Sequence, residues 1–297
     1  MIHSKFKIQN SKFSTSPSFQ NLSLHTHILF WCLILALFTV CYHSTLLWMF
    51  NRWGGIDSYY SHGFLIPFVS GFLIWQKRKS LKAARLSCSW LGLAIIIFSA
   101  LLHIFGTILY IFSISGFSIF FFIIGSVLFL FGKEVAKTIR FPLGYLIFMF
   151  PLPLAVLTAM SFPLKMMAAK AGVAVVQLIG IPVVRQGFDI TIPAGSMVVG
   201  NPCSGLRSLI AFLALGAILA YFTNTSNARK LILFLLSIPI AILSNAVRVS
   251  ILILISHFYG IKAASPDTIW HVSTGMLVFI IGFGLLMLSG RILQWKS

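Results

Sequence analysis

The sequence predicts an all-α membrane protein, a polytopic transmembrane helical bundle of about eight spans with both termini in the cytoplasm. Two observations favour this class. Hydrophobic residues make up 59% of the 297 residues and charged residues only 9%, whereas soluble domains carry roughly 25% charged residues. The apolar residues also stand in runs of about 20, the length that crosses a bilayer, so most of them are expected to face lipid.

The N-terminal segment 1–27 is polar and rich in Ser, Asn and Lys, and we expect it to be disordered and cytoplasmic. Residues 28–297 then form the transmembrane domain. The second span is short and carries Pro67 and Gly71, so a re-entrant segment is the alternative there. The eight predicted spans cover residues 28–50, 59–76, 88–106, 108–131, 141–160, 204–222, 231–258 and 269–289.

The segment 161–203 is the one long stretch without an obvious span. Its first part, from Phe162 to Ile179, is apolar with interspersed Lys and Gln, a pattern typical of a helix that lies in the membrane interface. From Val183 to Gly200, Gly and Pro are frequent, and apolar and polar residues alternate in part, which predicts extended structure. Because extended backbone needs hydrogen-bond partners, we expect it to pack over the bundle at the outer surface.

The formal net charge of +18 indicates membrane topology rather than nucleic-acid binding. The sequence has 22 Lys and Arg but only four Asp and Glu, and the basic residues stand in short runs between apolar stretches, as topogenic charges do. Most of them follow spans two, four and six or lie near the chain ends. A cytoplasmic N-terminus places all of these inside, and we therefore predict the lipid bilayer, and no nucleic acid, as a partner.

Three reactive side chains are expected to meet at the outer end of the bundle. Cys203 directly precedes span six, which runs inward, and His271 opens span eight. Arg248 lies late in span seven, where an arginine costs about 2.5 kcal/mol or more and so usually has a partner or a function. A thiol beside an imidazole is the pairing that nucleophilic catalysis requires, and a guanidinium stabilises an oxyanion. Packing, interfacial anchoring and snorkelling are the structural alternatives for these residues.

Four more residues are candidates for supporting or substrate-binding roles. Asn245 shares a helix face with the arginine of span seven, and Arg207 lies one turn after the cysteine, where its charge would favour a thiolate. His62 stands at the same predicted outer edge and is a rival base. Ser204, next to the cysteine, leaves a serine enzyme open as an alternative.

Other functions stay open from the residues alone. A transporter or channel is one, although ion-coupled carriers usually place carboxylates within spans, and the four acidic residues here lie outside the spans or at their boundaries. A non-catalytic assembly protein of the envelope is another. We predict neither a metal nor a cofactor, because the sequence has no HExxH motif and no CxxC pair.

At the same positions, the sequence resembles the exosortase/archaeosortase family of polytopic, transpeptidase-like membrane enzymes. The likeness extends over about residues 30–290, nearly the whole chain. Its most specific part is the run that ends in Cys-Ser-Gly-Leu-Arg. The segments that carry the resemblance are Tyr60–Phe64 with Pro67 and Trp75, Pro151–Pro153, Arg185–Arg207, Asn245–Arg248 and His271–Gly275.

The resemblance implies that Cys203, Arg248 and His271 are the catalytic residues of a cysteine endopeptidase or transpeptidase. It implies cleavage of C-terminal sorting tails of the PEP-CTERM type, which combine a short motif, a transmembrane helix and a basic end. The substrates would be exported proteins, cut at the periplasmic face of a bacterial inner membrane. Archaeal members tend to have Arg where His271 stands, which favours the bacterial branch. Asn201-Pro202 departs from the acidic residue and Ala of many members, and it leaves the sorting-signal subtype open.

Overall fold

The computed structural model describes residues 24–55 and 58–295. Of the segment predicted to be disordered, residues 1–23 therefore lie outside the described residues. The α-helices are α1 (Leu24–Gly54), α2 (Leu65–Gln76), α3 (Arg78–Ala83), α4 (Trp90–Ile108), α5 (Phe112–Leu130), α6 (Gly132–Thr138), α7 (Arg140–Tyr145), α8 (Leu154–Leu178), α9 (Leu206–Phe222), α10 (Asn227–Tyr259) and α11 (Ile269–Trp295). The strands are β1 (Val184–Gln186), β2 (Asp189–Ile192) and β3 (Gly195–Val198).

The prediction of a polytopic helical bundle is confirmed. Within the described ranges, seven segments are long and apolar enough to cross a membrane, against about eight expected. Large apolar side chains on them are exposed, as lipid-facing residues are: Leu101 is 62% exposed and Ile280 is 62% exposed. The seven segments are Cys32–Gly54, Trp90–Ile108, Phe112–Leu130, Leu154–Leu178, Asn201–Phe222, Asn227–Tyr259 and Ile269–Gln294.

The described residues fall into two compact units, divided between Leu46 and Leu47. The described part of the first unit is the N-terminal part of α1, in which the rings of Phe38 and Tyr42 lie one turn apart with centroids 4.7 Å from each other. The second unit holds the other elements and every residue of the predicted site.

Two of the predicted spans are shorter or broken. Residues 59–76 contain only a 3₁₀ turn, Ser61–Phe64, and the 12-residue helix α2, which is too short to count among the seven. Residues 141–160 are interrupted at 150–153, after α7 and a second 3₁₀ turn. Pro151 and Pro153 account for the interruption, because proline lacks a backbone N–H and disfavours helix at the residue before it.

Helix α8 corrects the prediction of an interfacial helix from Phe162 to Ile179. It runs unbroken for 25 residues, from Leu154 to Leu178, with Pro163 inside it, and it is long enough to span a membrane. The span therefore begins at the proline break rather than ending near residue 160. The prediction was wrong because lysines within an apolar run are typical of an amphipathic helix in the membrane interface.

The extended structure expected within 183–200 is confirmed as a three-stranded antiparallel sheet in the order β1-β2-β3. In β2, Ile190 and Ile192 are buried while Asp189 and Thr191 are exposed, the predicted alternation. The buried face packs against α8 and the C-terminal part of α10, where Val176, Val249 and Ile253 belong to one apolar cluster with it. Cys203 belongs to the same apolar cluster, so the buried face of the sheet packs on the same side of the bundle as the thiol.

Candidate active site

Cys203 lies in a tight turn directly before α9. Residues Asn201–Cys203 form a 3₁₀ turn, in which the Cys203 N–H donates to the Gly200 carbonyl at 3.1 Å. Only 8% of the Cys203 surface is exposed. The thiol therefore lies at the N-terminal end of a membrane-spanning helix but is shielded from bulk water.

Two side chains of α10 hold this turn in place. Asn245 donates from Nδ2 to the Cys203 carbonyl oxygen at 3.0 Å, and Arg248 donates from Nη1 to the Pro202 carbonyl oxygen at 3.0 Å. Residues three apart share one helix face, so a single face of α10 binds two successive carbonyls. This pairing fixes the position of the cysteine relative to α10.

Gly205 permits the close approach of the turn to α10. Its φ is +76°, in the left-handed region that favours glycine. A Cβ at this position would also lie 2.7 Å from Asn245 Cγ. Any larger residue would therefore strain the backbone and displace the amide that holds the cysteine.

His271, in the first turn of α11, lies beside the thiol. Its Nε2 is 3.9 Å from Cys203 Sγ, and its Nδ1 is 3.3 Å from the Ala264 carbonyl oxygen. A carbonyl oxygen only accepts hydrogen bonds, so Nδ1 carries the proton and, in the neutral ring, Nε2 carries the lone pair. The imidazole thus has the orientation and tautomer needed to accept the proton of the thiol.

The start of α11 fixes the backbone of His271. Thr268 Oγ1 accepts from the His271 N–H at 3.4 Å and donates to the Ala263 carbonyl at 2.7 Å. Sequence reasoning missed both Thr268 and the Ala264 carbonyl. A Ser-Pro-Asp-Thr run before an apolar segment is a helix-start signal that would have identified the threonine, whereas a backbone carbonyl has no sequence signal.

The Arg248 guanidinium retains an unused donor. Its Nε is buried and has no hydrogen-bond partner among the described residues. The group lies between the Pro202 carbonyl and the backbone of α11, where a Cβ on Gly275 would be 3.4 Å from Nη2. A buried N–H without a partner is a candidate donor to an anionic oxygen of a ligand.

Asn245, Arg248 and His271 line a cavity of about 520 Å³, a size typical of ligand sites. Cys203 and Ser204 are not among the lining residues, although their neighbours Pro202 and Gly205 are. Ser204 is 1% exposed, and its Oγ accepts from the Leu206 N–H at 3.3 Å at the start of α9. One wall of the cavity is apolar, with Phe212, Met276 and Phe279. The polar side chains predicted for the site that line it are His62, Arg207, Asn245, Arg248 and His271.

A comparison with known families gives a match over most of the chain. The family model described as transmembrane exosortase matches residues 51–288. The matched range begins before His62 and ends after Phe279, so it contains the turn that carries Cys203 and the whole cavity lining. No curated protein and no solved structure matches the chain.

Proposed function

The chain belongs to the transmembrane exosortase family, and on this premise we propose that it is a membrane-embedded cysteine peptidase or transpeptidase. The observation that carries the proposal is the 3.9 Å separation of Cys203 Sγ and His271 Nε2, with the other ring nitrogen held by a carbonyl. A cysteine that serves only packing needs no oriented base. A thiol paired with an imidazole in the acceptor tautomer is the arrangement of a nucleophile and its general base.

The proposed substrates are exported proteins with C-terminal sorting tails of the PEP-CTERM type, and family membership supports this class. We propose that the protein lies in a bacterial inner membrane with the site facing the periplasm. The cavity supports an apolar tail segment next to the scissile bond, because Phe212, Met276 and Phe279 form its wall beside the polar residues.

In the first chemical step, His271 Nε2 takes the thiol proton while Cys203 Sγ attacks the scissile carbonyl carbon. The carbonyl oxygen becomes an oxyanion, and Arg248 donates a hydrogen bond to it. A single donor of this kind typically contributes a factor of about 10² to 10³ in rate. Asn245 acts by keeping the Cys203 backbone in position.

The tetrahedral intermediate then collapses. The C–N bond breaks, His271 gives its proton to the leaving amine, and the N-terminal part of the substrate remains as a thioester on Cys203. An acceptor amine or water later attacks this thioester and regenerates the thiol. His271 pairs with Cys203 Sγ, whereas Ser204 Oγ accepts from the Leu206 N–H at the start of α9, which supports cysteine rather than serine as the nucleophile.

The proposal is tested by co-expressing the full chain with an exported reporter that carries a PEP-CTERM-type tail. We expect Cys203→Ala to leave the tail uncleaved and Arg248→Ala to slow cleavage by about 10² to 10³. Ser204→Ala is the matched control and should retain cleavage. Normal processing of the tail by Cys203→Ala would reject the enzyme, and its loss only in Ser204→Ala would identify a serine enzyme instead.

A further inference from the structure

The segment around Tyr60 and the segment around Pro151 fold against each other. Trp53 Nε1 donates to the Met149 carbonyl at 2.8 Å, and the Leu152 N–H donates to the Tyr60 hydroxyl at 3.1 Å. The His62 side chain lies beside the backbone of Phe148, which acts to raise the pKa of its imidazole. The mechanism above uses none of these contacts, yet together they fix the 3₁₀ turn that carries His62.

The packing of this turn leaves little freedom. A Cβ on Gly63 would lie 2.4 Å from the Trp53 ring, so the backbone lies directly against the indole. The rings of Tyr60 and His62 stack with centroids 5.9 Å apart. The imidazole of His62 is therefore held by the stacked Tyr60 ring, on a turn whose backbone lies against Trp53.

His62 lines the same cavity as Arg248 and His271. Its Nε2 is buried and has no hydrogen-bond partner among the described residues. A buried polar atom without a partner is unfavourable, and a ligand group that bonds it offsets that cost. The turn lies outside the seven membrane-spanning segments, and burial lowers the pKa of His62 although the backbone of Phe148 opposes the shift. The ring is neutral at pH 7 and can accept a proton.

We propose that His62 is the general base of the second half of the reaction, in which it activates the nucleophile that resolves the Cys203 thioester. This inference rests on the proposed function. The nucleophile is an amine or water: its nitrogen or oxygen bonds to the acyl carbon, the C–S bond breaks, and Cys203 leaves as a thiolate. The nucleophile's proton goes to His62 Nε2 and later returns to the thiolate.

The positions of the two imidazoles match a division between the two halves of the reaction. His271 faces the sulfur, where it takes the thiol proton and serves the first leaving group. His62 comes from another element, the turn before α2, and lines the same cavity as His271. Two histidines line the cavity, His62 and His271. When Cys203 carries the acyl group, His271 lies at the sulfur, so His62 is the one left to activate the second nucleophile.

The test compares His62→Asn with the wild-type chain in the co-expression assay. Asparagine keeps a polar amide near the Nδ1 position but has no base at Nε2. We expect thioester formation on Cys203 to proceed and its release to slow by about 10² to 10⁴, so that the adduct accumulates. Hydroxylamine, a strong nucleophile that needs no base, should then release the substrate. His62→Gln should behave alike, and His43→Asn, at an exposed position in α1, should match the wild type.

Two results would overturn the inference. One is wild-type turnover by His62→Asn without accumulated adduct. The other is a block before the adduct forms in both His62→Asn and His62→Gln, which would place the residue in the first half or in folding. Cys203→Ala, assayed in parallel, distinguishes a failure of the His62 inference from a failure of the proposed function. If Cys203→Ala still cleaves the tail, the proposed function itself fails.

Discussion

At the scale of single residues, Arg248 has two tasks. Its Nη1 binds the Pro202 carbonyl at 3.0 Å, and its buried Nε has no partner in the described part of the chain. The guanidinium is a rigid fork, whereas the ammonium of lysine is a point charge with different reach. In the proposed mechanism, one group thus positions the turn that carries Cys203 and offers a donor to the oxyanion.

Arg248→Lys is therefore expected to slow the reaction strongly, although it keeps the positive charge. The lysine cannot bind the Pro202 carbonyl and the oxyanion together, and we expect tail cleavage to slow by about 10² to 10³. The measurement is the rate of thioester formation in isolated membranes. Arg291→Lys, an exposed change near the end of α11, is the control. If Arg248→Lys and Arg291→Lys form the thioester at equal rates, Arg248 takes no part in the chemical step.

Gly205→Ala should impair the site through Asn245. The left-handed conformation costs an L-residue about 1–2 kcal/mol, and the new Cβ would also lie 2.7 Å from Asn245 Cγ. Gly187→Ala is the matched control, because Gly187 has φ +63° but nothing within 4 Å. We expect Gly205→Ala to lower Tm in detergent and slow cleavage, and Gly187→Ala to show only the smaller backbone effect. Equal losses would show that the contact with Asn245 is unimportant.

The side chains of this site were predictable because their types are unusual where they stand. An arginine and an asparagine inside an apolar run, and a cysteine and a histidine at helix starts, indicate function by position. The partners that orient them were not predictable. Tertiary packing places the carbonyls of Pro202 and Ala264 beside the site. Since every residue has a carbonyl, the sequence does not single these two out.

At the scale of elements, α4 and α5 pack with their backbones in close approach. A Cβ on Gly92 would lie 2.3 Å from the Phe129 backbone nitrogen, and one on Gly125 would lie 2.9 Å from the Gly92 carbonyl oxygen. Inside the pair, Ser99 Oγ donates to the Ser118 carbonyl at 2.7 Å. Small residues and polar contacts of this kind drive helix association in lipid, where burying apolar surface gains little.

Gly92→Ala and Gly71→Ala separate this packing from helix propensity. Gly71 lies in α2 with nothing within 4 Å of its Cβ position, whereas Gly92 meets backbone at 2.3 Å. Alanine favours helix over glycine by up to about 1 kcal/mol. We expect Gly71→Ala to keep or raise Tm in detergent and Gly92→Ala to lower it. A Gly92→Ala protein as stable as Gly71→Ala would contradict the close packing of α4 and α5.

The sequence predicted elements well where one local property decides them. Long apolar runs gave five of the seven membrane-spanning segments to within a few residues of their ends, and alternation gave β2. The prediction of the spans was wrong between residues 141 and 179, because apolar composition does not show where a helix breaks. Pro151 and Pro153 end one helical stretch there, while Pro163 is accommodated inside α8.

At the scale of the whole molecule, α10 links the two ends of the bundle. It has 33 residues, so it is about 50 Å long, more than the roughly 30 Å of a bilayer core. Asn224 precedes it and Lys262 follows it, and both are exposed. These residues therefore report opposite sides of the membrane, and Lys262 lies near the residues that carry the proposed chemistry.

The proposed orientation predicts which side accepts a label. In a background with Cys32, Cys41 and Cys88 changed to alanine, we expect Lys262→Cys to react with an impermeant maleimide on intact spheroplasts. Asn224→Cys should react only after the membrane is opened. The physical reason is the bias of Lys and Arg toward the cytoplasmic side. The reverse pattern would place the site in the cytoplasm, where exported proteins would not reach it.

In the proposed reaction, the Cys203 thiol, activated by His271, carries the substrate as a thioester. Mass spectrometry of the peptide containing Cys203, from the wild-type chain co-expressed with a tailed exported protein, detects this intermediate. We expect an added mass on Cys203 equal to the N-terminal product, which hydroxylamine removes and Cys203→Ala abolishes. An adduct on Ser204, or tail cleavage that continues without any adduct in the Cys203→Ala protein, would contradict it.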